Sequence, residues 1–269
     1  MAVPPTLNDL QRRCSDVYHR LSDEARDAPV NHLRPGLPVR LLRPARFAFL
    51  PTVSLGIQWL VPVASSLHDS LCSLRDDFRT HCPAACESVF WQPPATFHMN
   101  IAILVRLSCD RAGATDYDEA LSRAAPLLRE LTWMDAFDIQ FRGALVTADG
   151  TLLARGYPKD LRPFQIRRAF MAAGFADQQA IFHITVGRVL SVLTPSDWRR
   201  LSGFARKQQD RPLGVAAVDE AILIKEREGF LHSASCYDVL AEYHWPSRQA
   251  TRHFIAPPQR VDAGASYSA

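Results

Sequence analysis

One five-residue phrase occurs twice in this chain and constrains its fold more than any other feature: Phe97-His98-Met99-Asn100-Ile101 and Phe182-His183-Ile184-Thr185-Val186. Each runs apolar, histidine, apolar, small polar, apolar. Side chains alternate across a β-strand, so His98 and Asn100 share one face while Phe97, Met99 and Ile101 share the other. His183 and Thr185 separate from Phe182, Ile184 and Val186 in the same way. Each copy predicts a strand that sinks an apolar face into its own lobe and holds an imidazole and a hydrogen-bonding group towards the opposite side. Of nine histidines, only these two have such surroundings. A single strand histidine is most often structural; two in the same phase, each preceded by phenylalanine, point to a shared task.

Two such strands facing one another surround a small anion with two imidazoles and two neutral hydrogen-bond donors. Imidazole has an unperturbed pKa of about 6.5, so near neutrality one member can be protonated and the other free, as acid and base catalysis requires.

The rest of the chain supplies the frame. Residues 6–28 carry Leu7, Leu10, Val17 and Leu21 among charges at helical spacing, before the loop signals Asn31, Pro35, Gly36 and Pro38. Short apolar runs at 47–50 and 57–63 read as strands, and Leu67, Leu71, Leu74 and Phe78 recur at helical steps up to Pro83. Further strands are expected at 89–91, 97–107 and 137–145, with a return strand after the Asp149-Gly150 turn. Strands at 181–190, 215–225 and 235–243 complete the set. Helices are expected at 117–131, at 162–173 closed by Gly174, and at 196–207.

Composition narrows the function classes. The 269 residues are 47% hydrophobic, enough for a substantial core, and 31 basic residues against 28 acidic leave a net charge of +3. That charge permits an anionic ligand without requiring one. The N-terminus lacks the layout of a secretory signal, and no run reaches the roughly 18 apolar residues of a membrane span, so a cytoplasmic protein is expected. The six scattered cysteines read as reduced thiols. The cluster His81-Cys82-Cys86 lacks a fourth ligand and a matching second pair, so no metal is assigned to it. No glycine-rich phosphate loop, Gly-x-Ser-x-Gly elbow or HExxH motif is found.

On these residues the chain resembles the two-histidine (2H) phosphoesterase superfamily, whose hallmark is a pair of His-x-Thr/Ser motifs on strands of two pseudo-symmetric lobes. The approach Trp91-Gln92-Pro93-Pro94-Ala95-Thr96 to His98 is similar to the family's, as is the run Phe182 to Arg188. The strands Ile222–Lys225 and Tyr237–Leu240 fall where that fold finishes its sheet. Asn100 departs from the pattern, standing where the family prefers a hydroxyl. An amide still donates to a phosphate oxygen, with different reach and shape.

The expected fold is α+β: a bilobal, pseudo-symmetric duplication with two antiparallel sheets forming a central cleft and helices outside. Residues 1–43 form a helical extension, 44–247 the two-lobed domain, and 248–269 a polar, disordered tail. The resemblance implies metal-independent hydrolysis of a phosphodiester on a nucleotide or RNA end, most naturally a 2′,3′-cyclic phosphate, by a monomer without a cofactor. His98 and His183 would be catalytic, with Asn100, Thr185, Arg188 and Tyr157 on the substrate. Arg188 lies five residues after His183, on the opposite face unless a bulge at Gly187 re-aims it. Tyr157 and Lys159 could reach in from a loop, and Trp91 and Phe97 could stack a base or simply pack. The alternative function is a binding module that holds a nucleotide or RNA end without turnover.

Overall fold

The two histidine phrases fall on strands of two different sheets. In the computed structural model, which describes residues 5–27, 39–43, 46–108, 117–175 and 178–246, strands β3 (Pro51–Leu60), β5 (His98–Ser108), β10 (Glu220–Glu228) and β11 (Tyr237–His244) form a four-stranded antiparallel sheet in the order β11-β10-β3-β5. Strands β4 (Val89–Trp91), β6 (Phe137–Val146), β7 (Thr151–Pro158), β8 (Phe182–Val189) and β9 (Pro212–Val218) form a five-stranded one in the order β4-β8-β7-β6-β9. A short pair, β1 (Val39–Arg43) with β2 (Arg46–Phe49), stands apart. This is the expected α+β architecture of two antiparallel sheets with helices packed against them.

The apolar half of each phrase forms the core. Phe97, Met99 and Ile101 are fully buried, as are Phe182, Ile184 and Val186. Helix α2 (Ser66–His81) begins at an N-cap, where the backbone N–H of His68 donates to the Ser65 hydroxyl at 3.2 Å, and buries Leu67, Leu71, Leu74 and Phe78 in the same core. A four-residue turn, α3 (Pro83–Cys86), follows it. Helices α4 (Tyr117–Leu131), α5 (Arg162–Ala172) and α6 (Pro195–Lys207) complete the cover. Gly174, at φ +86°, ends α5 as a left-handed cap, and its amide donates to the Met171 carbonyl.

Two expectations need correction. The single strand read over 215–225 is two strands, broken at Asp219, and they belong to different sheets. The carbonyl of Asp219 accepts from the amide of Trp245 at 2.6 Å, so the crossing is tied to the end of β11. The acidic pair Asp219-Glu220 marks the break in sequence, but a polar pair fits the solvent face of one continuous strand as well as a change of sheet. The return strand β7 also runs on to Pro158, so that Tyr157 lies within it and not in a loop after it. The tail expected at 248–269 lies outside the described residues.

Helix α1 (Leu7–Asp27) does not stand clear of the domain. It packs Cys14 and Tyr18 against Leu145, Leu153, Tyr157 and Ile181, and the carbonyl of Ala25 accepts from the indole N–H of Trp198 at 2.8 Å. Leu153 is the register partner of both Leu145 on β6 and Thr185 on β8, and Arg155 is the partner of His183. Paired residues point to the same side of a sheet. The helix therefore lies on the histidine-bearing face of the five-stranded sheet, beside β8. Among the described residues no helix is long and apolar enough to cross a membrane.

Candidate active site

The sheets meet along β5 and β8. Strand β5 is the edge of its sheet, and β4 pairs only with residues 187–189 of β8, leaving the half that carries His183 and Thr185 turned towards β5. His98, Asn100 and His183 are partly exposed and Thr185 is 8% exposed, against complete burial of their neighbours in sequence. The alternation read from the sequence thus sets both polar pairs on the same open junction.

The imidazoles differ in their support. Nδ1 of His98 lies 2.9 Å from the carbonyl oxygen of Thr96, which can only accept, so Nδ1 carries the hydrogen and Nε2 presents its lone pair. Burial pushes the His98 pKa below its ordinary value; the Thr96 carbonyl opposes this, and the Arg188 charge adds to it. Nδ1 of His183 is buried with no hydrogen-bond partner among the described residues. Burial first, then the charges of Arg188, Arg167 and His98, bring its pKa down to about 3, against a small opposing effect of Asp149. In the free protein both rings are neutral at pH 7, which departs from the expectation of one charged and one free. At His98 desolvation and Arg188 outweigh the Thr96 carbonyl, and at His183 desolvation and the charges of Arg188, Arg167 and His98 outweigh Asp149.

Of the two outcomes the spacing left open for Arg188, the structure has the bulge, which brings it to this face. Thr151 pairs with Arg188 and Leu152 with Gly187, whereas Leu153 pairs with Thr185, so the register slips between them. The slip changes the parity of β8 and turns Arg188 to the side of His183. Gly187 is required there: a Cβ would come within 3.0 Å of both Trp91 and Val89 side chains. Nη1 of Arg188 donates to the Thr151 hydroxyl at 2.7 Å, and its guanidinium lies 4.4 Å from the ring centre of Phe230. Asp149, in the preceding turn, is half-buried; burial opposes its charge, but hydrogen bonds from Thr147 and Thr151 and the Arg188 charge hold its carboxyl below the usual range.

Other assignments fall elsewhere. Tyr157 is 7% exposed and packs under α1 at 5.4 Å from Tyr18, with the Arg142 guanidinium over its ring. The structure does not bring it to the open junction, because the loop imagined around it is the continuation of β7. Phe97 is core, and Trp91, partly buried, packs against Phe78 with the Arg79 guanidinium over its ring, so both are engaged in packing. Nδ1 of His81 donates to the Asp77 carbonyl and the thiol of Cys86 to that of Phe78. Among the described residues no group of three or more His, Cys, Asp or Glu is placed to hold a metal ion.

Two buried polar residues were given no role by the sequence reading, Gln58 unnoticed and Gln92 noted only as part of the approach to His98. Gln58 pairs with Asn100, and Leu60 with His98, so Gln58 shares the histidine face of the first sheet. Its amide lies 3.4 Å from Oε1 of Glu226, whose carboxyl burial pushes up to about 7 despite bonds from Gln58 and Ser54 and the charge of Arg188. Gln92 pins the same region: its amide donates to the carbonyls of Phe230 and Leu231 at 2.9 and 3.1 Å and to the Thr96 hydroxyl at 2.8 Å. Phe230 and Leu231 both have positive φ, and Gln92 holds that strained turn against the residue that supports His98. The sequence signal was available in Ser54-x-Gly56-x-Gln58, a polar stripe at strand spacing inside an apolar run.

Comparison with known proteins places the fold. No protein-family model matches the chain, and no curated protein matches it in sequence. Among solved structures, TT0787 of Thermus thermophilus superposes with a TM-score of 0.50 at 13% identity, covering 72% of this chain and 99% of that one. The conserved protein of unknown function ATU0111 from Agrobacterium tumefaciens gives 0.50 at 16% identity, covering 75% and 89%. E. coli LigT complexed with ATP gives 0.47 at 15% identity, covering 72% and 99%. The chain has the fold of TT0787 and ATU0111.

Proposed function

We propose that this chain is a two-histidine phosphodiesterase that hydrolyses a phosphodiester on a nucleotide or RNA end, with a 2′,3′-cyclic phosphate as the favoured substrate. One observation carries the reading: two histidine phrases from separate sheets meet at one junction with His98, Asn100, His183 and Thr185 all turned to it. Arg188 brings a positive charge to the same face. Reduced cysteines, free at Cys14, Cys72, Cys82, Cys86 and Cys236, suit a cytoplasmic setting.

The chemistry follows from the two environments. The phosphate anion bound between the rings favours their charged forms and offsets what burial and Arg188 take away. His98 is the better general acid, because the Thr96 carbonyl stabilises its imidazolium. His183, which lacks any such partner, stays neutral and serves as the base. It takes a proton from water as the water oxygen attacks phosphorus; the bond from phosphorus to one ribose oxygen breaks, and His98 gives that oxygen its proton. Asn100 and Thr185 donate to the non-bridging oxygens, and Arg188 opposes their charge. This cycle needs no metal and no cofactor, since the imidazoles and donors supply acid, base and charge stabilisation.

Asn100, in place of a hydroxyl, favours a second reading, a module that binds a nucleotide or RNA end without cleaving it. A panel of 2′,3′-cyclic nucleotides, 3′,5′-cyclic nucleotides and 2′-5′ oligonucleotides, read by product identity, tests both. Turnover of one member, lost by more than about a thousandfold in folded His98→Ala and His183→Ala, is expected. Tight binding with no product from any member selects the binding module. Wild-type turnover in either variant overturns the paired-histidine mechanism.

A further inference from the structure

Strand β5 ends its sheet, and an unpaired strand edge must find other partners when it is buried. It finds two side chains instead of a strand. Gln178 bonds both ways with Ile103, its Oε1 accepting from the amide at 3.0 Å and its Nε2 donating to the carbonyl at 2.6 Å. Arg167 takes the next stretch: Nη2 donates to the carbonyl of Asn100 at 2.6 Å and Nε to that of Ile101 at 3.0 Å. Its remaining nitrogen, Nη1, donates to the carbonyls of Gln179 and Ile181, at 2.7 and 2.8 Å, in the segment that leads into β8. The guanidinium lies 3.5 Å from the ring centre of Phe182, immediately before His183.

One planar group thus holds backbone inside the first histidine phrase and at the threshold of the second, where no strand pairing among the described residues joins the sheets. Arg167 is 5% exposed, sits on the buried stripe of α5 with Pro163, Ile166 and Phe170, and is met by carbonyls in place of a carboxylate. Burial lowers its pKa to about 9, so it remains charged at pH 7, while Tyr18 and Cys14 beside it are held neutral. A lysine has one compact ammonium, and its donors cannot span four carbonyls as the rigid fork does.

We infer that Arg167 is a positioning residue that fixes the spacing and facing of His98 and His183 by bridging their two strands from beneath. The inference rests on the phosphodiesterase reading for its kinetic part only. Arg167 acts on His183 together with Arg188, His98 and Asp149, whereas the groups acting on His98 are Thr96 and Arg188. Removing the Arg167 charge therefore moves one histidine and leaves the other.

The test compares Arg167→Lys, Arg167→Gln and Gln178→Ala by circular dichroism, by titration of the two histidine C2–H resonances, and by turnover on the best member of the substrate panel. Arg167→Gln is expected to raise the His183 titration by at least half a pH unit with His98 unmoved. Arg167→Lys is expected to leave both titrations near wild type while kcat falls at least tenfold and KM changes less than threefold. Gln178→Ala, which loosens the same edge without touching either phrase, is expected to lower the melting temperature and keep kcat within threefold. If Arg167→Gln does not fold, Arg167→Lys decides. Wild-type kcat in folded Arg167→Lys, or an equal loss in Gln178→Ala, shows that the arginine only seals a strand edge and overturns the inference. Where the wild-type protein turns over no substrate, the phosphodiesterase reading fails, and amide hydrogen exchange decides the bridge: faster exchange across 98–101 and 181–185 in folded Arg167→Lys than in Gln178→Ala upholds it, and exchange there no faster than in Gln178→Ala rejects it.

Discussion

Nδ1 of His98 donates to the Thr96 carbonyl at 2.9 Å, whereas its counterpart on His183 is buried with no partner among the described residues. Two phrases that match in sequence are therefore unequal in structure. A carbonyl on one ring stabilises its imidazolium, and its absence on the other leaves the neutral ring favoured. This asymmetry divides the acid and base roles, and it has consequences for pH.

The first consequence is kinetic and thermodynamic together. Both free-protein values lie below the ordinary imidazole range, His183 at about 3, so kcat/KM should peak below pH 6.5 and the kcat optimum should lie higher, because bound phosphate raises both rings. For stability, the unfolded chain takes up a proton below about pH 6.5 and folded His183 does not, so its contribution is present above that pH and is lost as pH falls towards 3. At pH 5 the loss attributable to this ring is at most about 2 kcal/mol. Urea unfolding of wild type and His183→Gln at pH 7 and pH 5 measures it; equal pH slopes would reject a depressed His183.

Glu226 runs the other way. Its folded pKa of about 7 exceeds the unfolded value near 4.5, so the stability tied to its proton is full below pH 4.5 and is lost as pH rises through 7. Glu226→Gln keeps the shape and removes the charge. The variant should gain on wild type between pH 4.5 and pH 8 by up to about 3 kcal/mol. Thermal melts of both proteins across that range give the difference, and parallel curves would show the carboxyl to be solvated.

At Gly187 the expectation concerns packing and aim together. A methyl group there meets Trp91 and Val89 at 3.0 Å and the Phe90 carbonyl at 3.2 Å, none of them the end of a flexible chain. Gly187→Ala should cost about 1–3 kcal/mol of stability. Because the bulge turns Arg188 to the site, substrate affinity should fall as it does in Arg188→Ala. Equilibrium unfolding and KM for both variants test the link; a destabilised Gly187→Ala with unchanged KM would show that the arginine keeps its aim without the bulge.

What the sequence made legible was local. Period-two alternation fixed the faces of both phrases, but the odd spacing from His183 to Arg188 left two outcomes open, and only the register slip in β8 decides between them. Arg167 could have been found as an arginine on the apolar stripe Pro163, Ile166, Phe170, but not its two partners on β5, which lie 66 and 67 residues away. Tyr157 was misplaced because nothing local says that α1 comes back to cover it. The break at Asp219 was left undecided because strand propensity does not record which sheet a strand joins.

Asn100 is the position where the enzyme and the binding module part. Its carbonyl is held by Arg167, so the backbone beneath its side chain is fixed, and the amide takes part in no hydrogen bond among the described residues. If that amide donates to a non-bridging oxygen in the transition state, Asn100→Ala should cost roughly 2–4 kcal/mol of transition-state stabilisation, as removal of an oxyanion donor does. Asn100→Thr restores a donor on a shorter arm and should keep turnover within about tenfold of wild type. If the site has instead given up hydrolysis, the wild type binds a cyclic nucleotide without cleaving it, and Asn100→Thr gains turnover that the wild type lacks. Calorimetric binding and product analysis on the three proteins separate the cases. A change in neither quantity on removal of the amide would mean that Asn100 does not touch the phosphate and that Thr185 and Arg188 hold it from the β8 side alone.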